Sequence, residues 1–403
     1  MDGVIGAGGR RNRAVPALGI AQTLIWAGLY YVFPALLPTW KAELGWSPAV
    51  LAGAFTLALV VQALAAPLAG RLIDAGHGRA LMAGGAGGGA AGLVVLSQVD
   101  AVWQFYAVWA WLGLMMAGGL YDACFSYVTR TFPDDARRII TRITLFAGFA
   151  GTVSFPLAHY CAQAFGWRAS LLVFAALIVL VAVPLLLTLP RPGHAAAPPP
   201  ADVHRAAREA ALRAPAFWLL AAVFAAIALN HGMIVTHLLP LLSSRGLPLE
   251  LAVLAASCVG PMQVVGRLAL MAVERRYAMD QVMAGTVAAL FLASAALLLA
   301  PWWPALAIVF VILQGAGIGI VSIARPVLIA DRLGREAFGV VNGRMASIFI
   351  AATALAPTVA ALLWQIGGYD VVLVAALALV LMAAAALTGV LRHTMALGSV
   401  PKP

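Results

Sequence analysis

Charge is scarce in this chain: Asp, Glu, Lys and Arg make up 10% of the 403 residues, against 63% hydrophobic and a mean hydropathy of +0.97. Soluble domains carry roughly 25% charged residues, so water is not the main solvent here. Lysine is almost missing. Lys41 follows Trp40 and Lys402 follows Pro401, neither behind a glycine-rich loop. No Walker A phosphate cradle exists, and a catalytic Schiff-base lysine is disfavoured. The three cysteines, Cys124, Cys161 and Cys258, lie inside apolar stretches without a C-x-x-C pair, which argues against disulfides and a zinc site. Segments of about ten residues with alternating polarity, the mark of a transmembrane barrel, are also absent.

What is present is a series of long apolar blocks parted by short basic breaks. A helical span takes about 20 residues. The blocks predict twelve: 15–38, 48–72, 79–98, 103–130, 139–164 and 169–189, then 215–242, 249–273, 280–300, 304–330, 337–364 and 369–391. The first apolar run, Ala14 to Pro38, is too long for the core of a cleaved signal and reads as span one. Between the two sets lie Pro190, Pro192, Pro198, Pro199 and Pro200 among Arg191, Arg205, Arg208 and Arg213. This stretch reads as a solvated linker ending in a short basic helix on the membrane surface. The expected organisation is an N-terminal six-helix bundle at 1–189, a cytoplasmic linker at 190–214 and a C-terminal six-helix bundle at 215–403. The fold class is an all-α membrane protein, its two pseudo-symmetric bundles set around a central cavity.

Basic residues orient the chain. With both termini cytoplasmic, 22 of the 25 Lys and Arg residues collect on the inner side, and only Lys41, Arg168 and Arg245 remain outside. Trp40, Trp46, Trp103, Trp167, Trp302, Trp303 and Trp364 read as an aromatic belt on that outer side. The net charge of +10 therefore reports topology rather than nucleic-acid binding. The expected location is a bacterial cytoplasmic (inner) membrane.

The halves repeat. Arg142 precedes Pro156 and Gly166-Trp167, and 202 residues later Arg344 precedes Pro357 and Gly368-Tyr369. Gly45-Trp46-Ser47-Pro48 opens span two as Gly246-Leu247-Pro248 opens span eight. Internal repeats of this kind mark transporters. Spans three, six, nine and twelve hold no ionisable residue in their interiors. The others carry Asp122, His159, His231, His237, Gln263, Arg267, Arg325 and Arg344. Ionisable groups at membrane depth are costly and face a bundle interior or wet cavity, so every third helix is expected at the periphery and the other eight around a polar pathway.

The run from Gly70 through Asp74 to Arg79 resembles the loop after span two of the major facilitator superfamily, which has glycine, an aspartate four residues on, and a basic-Gly-basic stretch. Gly70, Asp74 and Arg79 match; Ala75 and His77 replace the usual basic residue and glycine. The resemblance extends over essentially the whole chain and implies alternating access, with this loop as a gate. Physically, Asp74 can pair with Arg79 or cap a neighbouring helix N-terminus. Further residues look most like the oxalate/formate and monocarboxylate transporter branch: Gly45-Trp46-Ser47, Phe132-Pro133 with Arg137-Arg138, Gly148, Gly151, Pro156-Leu157, Gly166-Trp167-Arg168 and the intramembrane Gly266-Arg267. Tyr30-Tyr31 ahead of Gly45-Trp46 is also similar to arsenical exporters. Trp109, Leu112 and Phe155-Pro156 depart from proton-coupled drug exporters, and Gln263 stands where animal monocarboxylate carriers tend to have aspartate.

Arg267 leads the substrate-binding candidates. A guanidinium grips a carboxylate bidentately, and Gln263 lies four residues earlier on the same face; an arginine snorkelling to inner headgroups is the alternative. Asp122, in Gly118-Gly119-Leu120-Tyr121-Asp122, is the one acid deep within a span and suits proton coupling, or else partners Arg325 or Arg267. Arg325 before Pro326 either draws anions inward or anchors the inner end of span ten. His231, beside Asn230 and Gly232, binds substrate or packs helices. Tyr30 and Tyr31 line an outer cavity or the core. Cys124 and Cys258 would take an arsenical only if they approached each other, and small apolar packing is their default. Gly84 to Gly89 and Gly315 to Gly319 lack the context of phosphate loops and read as close helix packing.

Two deep arginines against one acid favour a small organic anion over a cation. The expected function is secondary transport of a monocarboxylate or dicarboxylate, with protons or a counter-anion as the coupling species. The chain is read as a monomer in the lipid bilayer, with no cofactor, no metal and no nucleic-acid partner. Efflux of an arsenical or drug-like compound, and a membrane receptor or sensor that binds without transport, are the alternatives. No nucleophile, base and orienting group cluster in the way an enzyme requires.

Overall fold

Hydrocarbon offers a backbone no hydrogen-bond partner, so a segment that crosses it must satisfy its own N–H and C=O groups, which a helix does. The computed structural model describes residues 7–190, 201–274 and 276–398, and they contain helices and turns but no strand. In chain order α1 (Ala7–Ile25), α2 (Val32–Leu44), α3 (Pro48–Leu72), α4 (Gly78–Leu96) and α5 (Val102–Gly119) come first. There follow α6 (Tyr121–Thr131), α7 (Ala136–Ala147), α8 (Ala150–Phe165), α9 (Trp167–Leu177) and α10 (Val183–Leu187). The linker helix α11 (Ala201–Arg213) leads to α12 (Pro215–Thr236), α13 (Leu238–Ser244) and α14 (Leu249–Val273). Helices α15 (Met279–Leu299), α16 (Leu306–Leu333) and α17 (Phe338–Gly398) complete the chain. The proline-rich part of the linker, Arg191 to Pro200, lies outside the described residues, as do Arg275 and Lys402.

Among the described residues, ten helical stretches are long and apolar enough to cross a membrane. Two of them, Ala49–Leu96 with 48 residues and Phe338–Arg392 with 55, have the length for two crossings each. Both bend at glycine: the first at Gly76 (φ 90°), the second at Gly367 and Gly368. Twelve crossings result. The protein is an all-α membrane protein of two six-helix bundles, as the apolar blocks predict. By packing, the chain forms two compact units, Met1–Arg208 with Arg335–Ser347, and Glu209–Gly334 with Ile348–Pro403. The thirteen-residue piece at the start of α17 thus belongs with the first unit.

The same device holds the helices in both units. Lipid tails are as apolar as the side chains, so close packing between small residues must supply the attraction. In the first unit, Gly113 of α5 lies directly on the Ala58 carbonyl of α3, and Gly85 of α4 on the backbone of Met115 and Gly119. In the second, Gly266 of α14 meets the Ala316 backbone and Gly319 of α16 meets that of Gln263. The repeat is visible in the turns as well. Gly45 (φ 67°) pairs with Gly246 (φ 84°), and Gly166 (φ 81°) with Gly368 (φ 67°), positions that L side chains rarely adopt. Beside these turns, Arg168 pairs with Asp100 in the first unit and Arg245 with Asp370 (2.6 Å) in the second.

The tryptophan belt divides in two. Trp103, Trp302, Trp303 and Trp364 are exposed, as a belt requires, but Trp40 and Trp167 are buried. They form a core with Trp109: Trp40 stands edge-on to Phe105 (5.2 Å), Trp109 (6.2 Å) and Trp167 (6.1 Å). Such ring pairs hold beyond their buried area, and one-dimensional spacing does not separate them from belt positions.

Close packing has an opposite sign at two glycines. A methyl at Gly113 would enter the Ala58 carbonyl, whereas a methyl at exposed Gly84 meets nothing. Gly113→Ala should therefore lower thermal stability in detergent by about 1–3 kcal/mol, while Gly84→Ala should leave it unchanged or raise it by up to about 1 kcal/mol through helix propensity. Equal melting shifts for the two variants would contradict this packing.

Candidate functional site

In the first unit, span four is broken. Helix α5 stops at Gly119, Leu120 is extended (φ −87°, ψ −169°), and α6 restarts at Tyr121. A break frees backbone groups that need partners; the buried Gln22 amide donates to the Gly119 carbonyl (2.8 Å). Asp122 is therefore not in mid-helix but in the first turn of a half-helix, where the dipole favours a negative side chain. It is half-buried, and its carbonyl oxygen accepts from Ser126 Oγ (2.7 Å) and Asn342 Nδ2 (3.2 Å).

Aromatic rings gather next to it. Tyr121 stacks on Phe125 (4.9 Å) and lies 4.7 Å from Trp26, which in turn touches Tyr30 (5.0 Å) and Tyr31 (6.1 Å). Tyr30 and Tyr31 sit on a π-helical stretch, Trp26–Tyr31, between α1 and α2. Such bulges re-aim side chains and are frequent at functional sites. The structure thus joins Tyr30, Tyr31 and the neighbourhood of Asp122 into one cluster. Trp26 and Tyr121 complete it; sequence reasoning passed over both, although Tyr121 adjoins the singled-out acid.

In the second unit, Arg267 on α14 is 5% exposed and Arg325 on α16 is 7% exposed. The Arg325 guanidinium lies 4.6 Å above the Phe349 ring, a cation–π contact. Gln263 is half-buried one turn before Arg267, and its backbone is pressed against Gly319. His231 belongs to an amide network. Its Nδ1 is 3.3 Å from the Gln314 amide nitrogen, which also donates to Asn230 Oδ1 (3.2 Å). Asn230 Nδ2 donates to Ser294 Oγ (3.0 Å) and to the Ala376 carbonyl (3.1 Å). Four helices, α12, α15, α16 and α17, are tied at this point. Asn230, Ser294 and Gln314 are uncharged residues in apolar runs. The Asn230-His231 pair was their one legible trace.

The gate candidates lie in the first unit. Gly70 is packed against the Gly339 backbone so closely that any Cβ would enter the Gly339 carbonyl. Asp74, 5% exposed, accepts from the backbone N–H of Gly339 (2.8 Å) and Val340 (2.9 Å). It therefore caps the start of α17, where N–H groups lack helical partners. Arg79 does not pair with it. Its Nη1 donates instead to the Leu187 (3.0 Å) and Leu189 (3.2 Å) carbonyls at the end of α10. Of the two roles open to Asp74, the structure shows the cap.

Further contacts align with that cap. Gly343 meets the Ala66 carbonyl, Ser347 Oγ donates to the Ala63 carbonyl, and Arg335 Nη1 donates to the Pro133 carbonyl (2.9 Å). Asn342 Nδ2 also reaches Ser126 Oγ (3.1 Å). Among the described residues, no three His, Cys, Asp or Glu side chains are placed to hold a metal ion, and all three cysteines are free thiols.

A family model described as Major Facilitator Superfamily matches residues 18–310. Among solved structures, the chain is similar to the E. coli fucose:proton symporter FucP at a TM-score of 0.72 and 15% identity, covering 93% of this chain and 98% of that one. It is also similar to the human organic anion transporter MFSD10 (TETRAN), at a TM-score of 0.73 and 18% identity, covering 94% and 99%. No curated protein matches.

The amide network yields a test independent of any substrate. Asn230→Ala removes a partner from both Ser294 and Gln314, leaving Gln314 with His231, and should cost about 1–3 kcal/mol. Gln314→Ala in addition should cost less than the sum of the two single changes, read by thermal unfolding of all three variants. Strict additivity would dissolve the network.

Proposed function

The chain belongs to the major facilitator superfamily, and on that footing we propose that it moves a small organic anion of monocarboxylate or dicarboxylate type by alternating access. That it is a transporter rather than an enzyme follows from the family itself. The anion rests on one observation: the second unit buries two arginines, at 5% and 7% exposure, within apolar helices. Charges at that depth are costly and are kept where they have a use, and the planar fork of a guanidinium matches a carboxylate with two parallel hydrogen bonds. The human neighbour is named for organic anions and the bacterial one for fucose, so fold likeness does not choose between them. The buried arginines favour the former.

In this reading Arg267 and Gln263 bind the carboxylate, while Arg325 and His231 contribute to the same unit's anion-attracting surface. Tyr30 and Tyr31 offer apolar faces to the solute, and Asp122 carries the coupling proton. Gly70, Asp74 and Arg79 form the gate, with Asp74 holding the docked start of α17. The same reading takes the chain as a member of the oxalate/formate and monocarboxylate transporter branch, working as a monomer in a bacterial inner membrane with cytoplasmic termini.

Proteoliposome counterflow tests the anion reading. A charge-assisted hydrogen bond contributes roughly 1.5–3 kcal/mol, so Arg267→Gln should reduce carboxylate counterflow by about tenfold to a hundredfold. Arg267→Lys, which keeps charge without the planar fork, should fall between. Unimpaired carboxylate flux in Arg267→Gln would remove Arg267 from the site, and efflux of a neutral compound that survives the change while carboxylates are never moved would replace this reading with efflux of an arsenical or drug-like molecule. Saturable binding without counterflow would point to a receptor.

A further inference from the structure

The linker helix reaches the gate. His204 of α11 places its Nε2 3.3 Å from Asp74 Oδ2, the same oxygen that accepts from Val340 N–H. Asp74 is thus held from two directions, by the helix end of α17 and by an imidazole from a segment that crosses no membrane. Both side chains are largely withdrawn from water, at 22% exposure for His204 and 5% for Asp74. Other charged groups lie on the elements around them. The end of α3 carries Arg71, the turn His77 and the start of α4 Arg79; α11 carries Asp202, Arg205, Arg208 and Glu209; Arg335 and Glu336 precede α17, which carries Arg344; α6 ends near Arg130. Two of these are engaged elsewhere, Arg79 with the Leu187 and Leu189 carbonyls and Arg335 with that of Pro133. Among the described residues, His204 is the ionisable side chain within ion-pair distance of the Asp74 carboxylate.

We propose that His204 is a positioning residue of the gate: in its charged form it orients the Asp74 carboxylate onto the Gly339 and Val340 amides and so keeps the start of α17 docked, which makes docking sensitive to pH on the linker's side of the membrane. The inference rests on the gate reading of Asp74. Its physics is simple. An imidazolium attracts the carboxylate and turns it toward the helix end, whereas a neutral imidazole does not, and histidine changes charge between about pH 5 and 8. The added hold is present while the imidazole is charged and lost when it is neutral. A chain that closes its gate by a buried carboxylate on a helix end gains, through one residue of the linker, a means of weakening that hold when the local pH rises.

Hydrogen exchange on the full chain in nanodiscs measures docking without any substrate. The readout is the protection of the Gly339 and Val340 amides at about pH 6 and pH 8, after correction for the intrinsic exchange rate. For a partly exposed pair the expected difference is modest, about threefold to fivefold more protection at the lower pH. His204→Gln should remove that difference and match the wild-type value at the higher pH. His204→Lys, charged at both, should restore protection and make it independent of pH. Asp74→Asn should lower protection at both. A pH difference that persists in His204→Gln would overturn the role of His204 while leaving the gate in place. Unchanged protection in Asp74→Asn would remove the gate reading itself.

Discussion

A charge or an unpaired polar group costs several kcal/mol in hydrocarbon, and nearly every feature of this protein is an answer to that cost. Backbone groups are closed within helices, and where a helix breaks, a side chain takes over. Gln22 accepts the task at Gly119, Ser126 and Asn342 at Asp122, and Asp74 at the start of α17. Asn230 and Gln314 bind each other and two further helices rather than stand alone. Even Arg245, almost fully buried, has Asp370 as its counter-charge. Among the described residues, several of the polar groups inside the spans tie helices together in this way.

Because the solvent supplies no hydrophobic push between helices, approach has to be close, and glycine and alanine provide it. Gly113 on Ala58 and Gly266 on Ala316 are the same contact made once in each unit. The docking of the start of α17 uses the device a third time. Gly70 with Gly339 and Ala66 with Gly343 bring backbones together, and that closeness is what lets the Asp74 carboxylate reach the amides beyond. Packing and electrostatics are therefore one mechanism at this point. Without the glycines the carboxylate would fall short, and without the carboxylate the helix end would be left unsatisfied.

Much of this was legible in the residues alone. Hydropathy reports the solvent directly, so the twelve spans could be read within a few residues, and Gly166 and Gly368 could be recognised as repeats of one turn before their positive φ angles were known. Asp74 was legible to the extent of two alternatives, because an acid beside an arginine in a tight loop has two obvious partners. Choosing between them needed the tertiary fact that residues 335–347 pack with the first unit. The true partners of Arg79, the Leu187 and Leu189 carbonyls, carry no side-chain signature at all. Trp40 and Trp167 misled for a related reason: a tryptophan near a span end looks the same whether its ring meets headgroups or other rings. Asn342, Ser294 and Gln314 were hidden because a single uncharged polar residue barely alters the mean hydropathy of a helix. The break at Leu120 was foreshadowed by Gly118-Gly119 and still read as continuous.

The central claim is that costly groups were retained within the spans for the sake of an anionic solute. Entrance counterflow into proteoliposomes holding the unaltered protein tests it most directly, using matched pairs of solutes that differ in a carboxylate and little else, such as short carboxylic acids beside their amides and neutral sugars. The account predicts counterflow for at least one carboxylate and none for its amide. Counterflow of a sugar or an amide, with every carboxylate inert, would contradict it.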